Sequence, residues 1–173
     1  MGMQPQIVPT DYFLIPDGPA GTRETLKAMR DLVVANKPNS MFRHVAQSIV
    51  RDVEPKDWEG EICTVFDWVQ ANIRYGLDTN GWEVIQRPDV TLGLGYGDCD
   101  DFVCLLCGLL EALGHQTYIC ALGFDADENY SHVIALCAGA GGETGLIPLD
   151  ATENEPPGWF PPGATYAMIA PIE

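Results

Sequence analysis

Gly97-Asp98-Cys99-Asp100-Asp101-Phe102-Val103-Cys104-Leu105-Leu106-Cys107-Gly108-Leu109-Leu110-Glu111-Ala112-Leu113-Gly114 is the stretch that decides the fold. An aspartate at the entrance, apolar residues almost all round and a closing glycine predict a buried helix from Cys99 to Leu113, capped by Asp98 and ended by Gly114. A helix apolar on every side needs neighbours on every side, so it belongs at the centre. Its first residue is a cysteine. Unpaired N–H groups and the positive end of the helix dipole favour the thiolate there, and the thiolate is the reactive form. Asp98, Asp100 and Asp101 surround the same sulfur with negative charge and oppose it.

Upstream, three further helices are expected. Thr22 can cap one reaching Ala35, with Leu26, Met29, Leu32 and Val33 on one side. Asn39 or Ser40 can cap a second from Met41 to Val53, burying Phe42, Val45, Ala46, Ile49 and Val50. Asp57 can cap a third from Trp58 to Ile73, with Ile62, Val65, Phe66 and Val69 at three- and four-residue spacing. From Gly76 to Gly97 the pattern breaks into glycines, Pro88 and scattered aromatics. A loop of that length in a compact domain usually has a function, and this one leads into Cys99, so it is expected to wall a cleft.

Downstream come Thr117 to Phe124, Tyr130 to Ala138 and Leu146 to Ala151, short β-rich runs joined by polar and glycine-rich turns. They predict an antiparallel sheet and an α+β class. The organisation expected is one domain over 1–173: an extended arm (1–21), a helical part (22–75), an active-site loop (76–98), a catalytic core (99–152) and a proline-rich tail (153–173) wrapping the surface.

The chain has 173 residues, 46% of them hydrophobic, enough for a sizeable core. Nine Lys and Arg against 25 Asp and Glu give a net charge of −16, which argues against nucleic acid or an anionic membrane as partner. No apolar run reaches the ~18 residues of a membrane span. The start, Met1-Gly2-Met3-Gln4-Pro5-Gln6, lacks the pattern of a signal peptide, so a cytoplasmic location is expected. Cys63, Cys99, Cys104, Cys107, Cys120 and Cys137 mostly fall in apolar periodic segments and read as small hydrophobes rather than a disulfide framework.

Two residues make Cys99 more than a lone cysteine. His132 lies in Tyr130-Ser131-His132-Val133, and Asp150 ends Leu146-Ile147-Pro148-Leu149-Asp150. A Cys–His pair needs the imidazole within reach of the sulfur and a third group on the far ring nitrogen to fix the tautomer. A helix start facing two antiparallel strands can supply that geometry, with Cys99 as nucleophile, His132 as base and Asp150 as orienting carboxylate.

Gly97-Asp98-Cys99-Asp100-Asp101-Phe102, then Leu113-Gly114, Ser131-His132-Val133 and Pro148-Leu149-Asp150-Ala151-Thr152 resemble the core motifs of the transglutaminase-like superfamily. The stretch Phe66-Asp67-Trp68-Val69-Gln70-Ala71-Asn72-Ile73-Arg74-Tyr75 is similar to the helix preceding the active-site loop in bacterial members. The similarity runs from Trp58 to Thr152. It implies a papain-like fold, with the cysteine at the start of a central helix packed on an antiparallel sheet. It also implies acyl transfer from an amide or ester to Cys99 as a thioester, then to water or an amine; no cofactor and no metal ligand are expected from the residues themselves. The oxyanion would meet the N–H of Cys99 and one further donor. Tyr75, Trp82, Gln86 and Tyr96, in or beside the loop, are the candidates for that donor or for the substrate cleft. The short form resembles copies among bacteriophage and prophage structural genes, which would make it virion-associated.

Weaker signals are set aside. Asp125-Ala126-Asp127-Glu128-Asn129 begins like a calcium loop, but Tyr130 replaces the required glycine and Leu136 the bidentate glutamate. Cys104 and Cys107 have zinc-like spacing inside an apolar helix without a second ligand pair, so core packing is expected over metal or redox chemistry. His115, past a helix C-terminus, suits the dipole there, and His44 is expected at the surface. The leading expectation is a cysteine hydrolase or acyltransferase acting on a protein or peptide substrate. Hydrolysis is preferred, because nothing in the sequence shows how water would be excluded. The alternative is a non-catalytic structural or assembly protein, such as a phage particle component, that keeps the fold and docks a phage structural protein. Oligomeric state is not legible.

Overall fold

A computed structural model describes residues 16, 18–76, 84–125, 129–139 and 142–173. Most of the expected N-terminal arm lies outside the described residues. Its last residues, however, are already helical. Helix α1 (Pro19–Asn36) starts earlier than the Thr22 cap predicted, because Pro19 is pre-set for the first helical position and Gly18, at φ 73°, makes the turn into it. The Thr22 hydroxyl instead bonds back to the Gly18 carbonyl at 3.3 Å. Helix α2 (Ser40–Ile49) is capped by Asn39, whose side chain accepts from the Phe42 N–H, and it stops short of Val53. Pro55 disfavours helix at the residue before it, and Val53 N–H closes a turn on the Val50 carbonyl. Helix α3 (Trp58–Asn72) is capped by Asp57 as expected.

The stretch read as loop contains structure. Strand β1 (Arg74–Tyr75) pairs in parallel with β2 (Tyr96–Gly97), and helix α4 (Pro88–Leu94) lies between them in sequence. Pro88 and Gly95, taken as breakers, are the start and stop of α4: Pro88 opens its first turn, and Gly95 closes it in the left-handed conformation at φ 69°. Seven residues are too few for a 3.6-residue period to be legible.

Helix α5 (Cys99–Leu113) has the predicted bounds and caps. It is the hub: α1, α2, α3 and α4 pack around it, and the sheet covers its remaining side. At Gly108 the approach is close, since a Cβ there would lie 3.2 Å from Pro88 and 3.3 Å from the Phe42 ring. Gly108→Leu should therefore force α2 and α4 away and cost about 1–3 kcal/mol, read as a lower urea midpoint with unchanged slope.

Strands β3 (Thr117–Gly123), β4 (Tyr130–Gly139), β5 (Gly142–Leu149) and β6 (Tyr166–Pro171) form an antiparallel sheet in the order β5-β4-β3-β6. The two-residue period sends Ile119, Ala121, Val133 and Ala135 into the helical core, and Tyr118, Cys120, Leu122 and Ile134 into a second cluster on the opposite face. The tail does more than wrap the surface, because β6 extends the sheet beside β3. Its prolines cluster before the strand. Pro171 is tolerated because the Ile172 N–H bonds to Thr117, so the preceding nitrogen faces away from the sheet.

Candidate active site

The N-terminus of α5 is held by buried carboxylates. Asp98 accepts from the Asp100 N–H at 3.2 Å, and Asp101 reaches back to the Asp98 N–H at 3.2 Å, completing a capping box. Asp101 is wholly buried and also accepts from Gln86 twice: the backbone N–H at 2.7 Å and Nε2 at 2.8 Å. One side chain thus ties residue 86 to the turn that carries Cys99. Gly97 permits it, since a Cβ there would sit 2.5 Å from the Asp101 Cβ.

Cys99 is partly buried, its Sγ 3.7 Å from Asp100 Oδ1. Burial pushes its thiol pKa far up, and the charges of Asp100 and Asp98 push it further. Backbone hydrogen bonds from Val133 and Asp100 pull the other way and do not prevail. This direction opposes the thiolate expected from the helix dipole, because a partial charge at a helix end is weaker than desolvation added to the charges of two neighbouring carboxylates.

His132 sits on β4, opposite Leu122 and next to Val133, whose N–H meets the sulfur. Its Nε2 is 2.7 Å from Oδ2 of Asp150, one residue beyond β5. Asp150 is 4% exposed, and its Oδ1 accepts from the Thr152 hydroxyl at 2.6 Å and the Thr152 N–H at 3.2 Å. Burial alone would raise the Asp150 pKa, but the bonds from His132 and Thr152 outweigh it and hold the carboxyl below its usual value. An ionised carboxylate can only accept, so Nε2 carries a hydrogen, and in the neutral form of the ring Nδ1 is then the nitrogen with a lone pair.

Cys99 and His132 line one cavity of about 490 Å³. Among the described residues α1 lines it, through Gly21, Thr22 and Thr25, with Leu26 and Met29 deeper, and residues 84–97 do not; residues 77–83 of the stretch expected to wall the cleft lie outside the described residues. Nothing in the small residues of that helix, so far upstream, indicates which cavity they meet.

The four donor candidates separate. Tyr75 is half exposed, with its ring 6.2 Å from that of Phe102. Its hydroxyl pKa is raised by burial, then by the charges of Cys99, Asp98, Asp100 and Asp150, so it lies within electrostatic reach of the site. Gln86 turns its side-chain N–H to Asp101 instead of the sulfur, leaving its Oε1 buried without a partner among the described residues. Tyr96 is exposed, pairs with Arg74 and stands over Gly76. Alternation along the two-stranded ribbon puts it on the face opposite Tyr75. Trp82 lies outside the described residues.

Among the described residues no group of three or more His, Cys, Asp or Glu could hold a metal, and no helix is long and apolar enough to cross a membrane. Residues 126–128 of the calcium-like turn lie outside the described residues. Cys104 and Cys107 are buried, their sulfurs turned to the carbonyls of Met29 and Tyr118 at 3.9 Å, which is core packing. His115 bonds Glu61 at 2.8 Å, its ring edge-on to Trp58, and His44 is exposed.

Solved structures share this fold. A candidate protease from Parabacteroides distasonis superposes with a TM-score of 0.53 at 15% identity, over 76% of this chain and 27% of its own. A candidate cysteine protease from Cytophaga hutchinsonii gives 0.52 at 19% identity, over 75% of this chain and 46% of its own. The chain thus spans less than half the length of either. No curated protein matches it. The sequence profile of the transglutaminase-like superfamily matches residues 43–148, which include Cys99 and His132. With a cysteine opening a central helix against an antiparallel sheet, and that profile covering more than half its length, the chain belongs to the transglutaminase-like superfamily.

Proposed function

We propose that the protein is a cysteine-dependent amide-bond hydrolase or acyltransferase acting on a protein or peptide substrate. The observation that carries this reading is the His132–Asp150 bond of 2.7 Å beside a cavity that Cys99 also lines. Because burial and the flanking carboxylates raise the Cys99 thiol pKa, attack requires His132 Nδ1 to take the proton as the C–S bond forms. Asp150 stabilises the resulting imidazolium and keeps the ring oriented. The imidazolium then protonates the departing amine, leaving a thioester on Cys99. Water, activated by the neutral imidazole, releases the acid; an amine in its place would give transfer. Water is the preferred acceptor. The oxyanion is met by the Cys99 N–H, and of the three described candidates Tyr75, within electrostatic reach of Cys99, is the one assigned as second donor. A cytoplasmic setting is part of this proposal.

The test is alkylation of Cys99 against pH, followed by peptide mass spectrometry on native wild type and His132→Ala. A raised thiol pKa leaves almost no thiolate at neutral pH, so reaction near pH ~7 requires the imidazole. Wild type should alkylate there, and His132→Ala should react only at alkaline pH, above the ~8.5 of a free thiol. An inert Cys99, or identical profiles in the two proteins, would remove the catalytic reading.

A further inference from the structure

Helix α1 lies upstream of the residues that match the family, 43–148, yet it builds a wall of the cavity beside Cys99. About 490 Å³ is within the ~300–1,000 Å³ range of ligand pockets and suits one side chain with its flanking backbone. Gly21, Thr22 and Thr25 leave that wall short. The floor, Leu26, Met29 and Val133, is apolar, while hydroxyls come from Thr22, Thr25 and Ser131.

Charge among the described lining residues is one-sided. Asp100, 7% exposed, is part of the lining, and the charge of Asp98, 8% exposed, acts on the same sulfur. No Lys or Arg is among the described lining residues, and the imidazole of His132 is engaged by Asp150. The first turn of α1 also meets the cavity, but a helix N-terminus offers only about half a positive charge, and that does not cancel a full carboxylate charge in a partly desolvated site. Hydroxyl oxygens and a carboxylate are acceptors for an ammonium, which brings three donors and no lone pair.

We propose that α1 makes this cavity the specificity pocket of Cys99, and that the pocket receives a short cationic side chain next to the bond under attack and turns carboxylates away. Thr22 and Thr25 are the specificity-determining residues, and Asp100 supplies the charge selection. The inference rests on Cys99 being the nucleophile.

Three methanethiosulfonates of similar size separate the two ideas: 2-aminoethyl (cationic), methyl (neutral) and 2-sulfonatoethyl (anionic). Each rate at Cys99 is measured by peptide mass spectrometry and divided by the same reagent's rate with 2-mercaptoethanol. The normalised cation-to-anion ratio should be at least about 30 in wild type and fall towards 1 in Asp100→Asn. Thr25→Lys, on a half-exposed helical position, should invert the preference, and Thr22→Lys serves if that protein does not fold. Equal ratios for all three reagents, unmoved by these substitutions, would overturn the pocket and leave the nucleophile standing. A Cys99 unreactive to every reagent would overturn both.

Discussion

Cys99→Ala should abolish turnover, by at least about 10⁴-fold, while the protein stays folded. The sulfur is the atom that bonds to the acyl group, and among the described residues no other thiol lines the cavity. His132 is held by Asp150, and the remaining carboxylates are buried in hydrogen bonds around the helix start. The structural effect should be small, since the change removes one partly buried atom whose neighbours Asp98 and Asp101 keep capping α5. Hydrolysis of an unfractionated peptide library, compared with wild type at equal thermal stability, is the measurement. Retained turnover would mean that the chemistry resides elsewhere.

Asp101→Ala should be the most damaging substitution away from the catalytic groups. It would strip acceptors from the Gln86 N–H, Gln86 Nε2 and Asp98 N–H, in a place where Asp101 itself has no exposure to water. Each orphaned buried donor costs roughly 1–3 kcal/mol, so a loss of about 3–5 kcal/mol is expected after local relaxation. That is a large share of the ~5–15 kcal/mol that holds a domain together. In urea the midpoint should fall by about 2 M. Hydrogen exchange should quicken at Gln86 and Asp98 first, because those N–H groups lose the carboxylate to which they donate. A midpoint change below about 0.5 M would show that water or a shifted backbone replaces the carboxylate.

What could be read locally and what could not divide along the range of the interaction. Helix α5 is legible to the residue because its signals are adjacent to it: Asp98 before, Gly114 after, and an unbroken apolar run between. Cys99, His132 and Asp150 are recognisable from their order and the element type that each sits on. Helix α4 is hidden because its seven residues carry a proline and glycines that also fit a loop. Strand β6 is hidden by prolines that lie just ahead of it, and only its pairing with β3 marks it as sheet. Asp101 looks like one of three equivalent acids, and only its approach to Gln86, fifteen positions upstream, distinguishes it.

The sequence by itself determined the central helix and its caps, the apolar strands after it, and the succession of thiol, imidazole and carboxylate. Those features depend on near neighbours and on hydrophobic period, which a linear chain displays. The tertiary structure decided that Nε2 of His132 faces Asp150, that burial and the neighbouring carboxylates raise the Cys99 thiol pKa and that α1 lines the cavity. Each of these depends on distances between residues far apart in the chain and on the water removed when they meet, and neither quantity exists until the chain has folded.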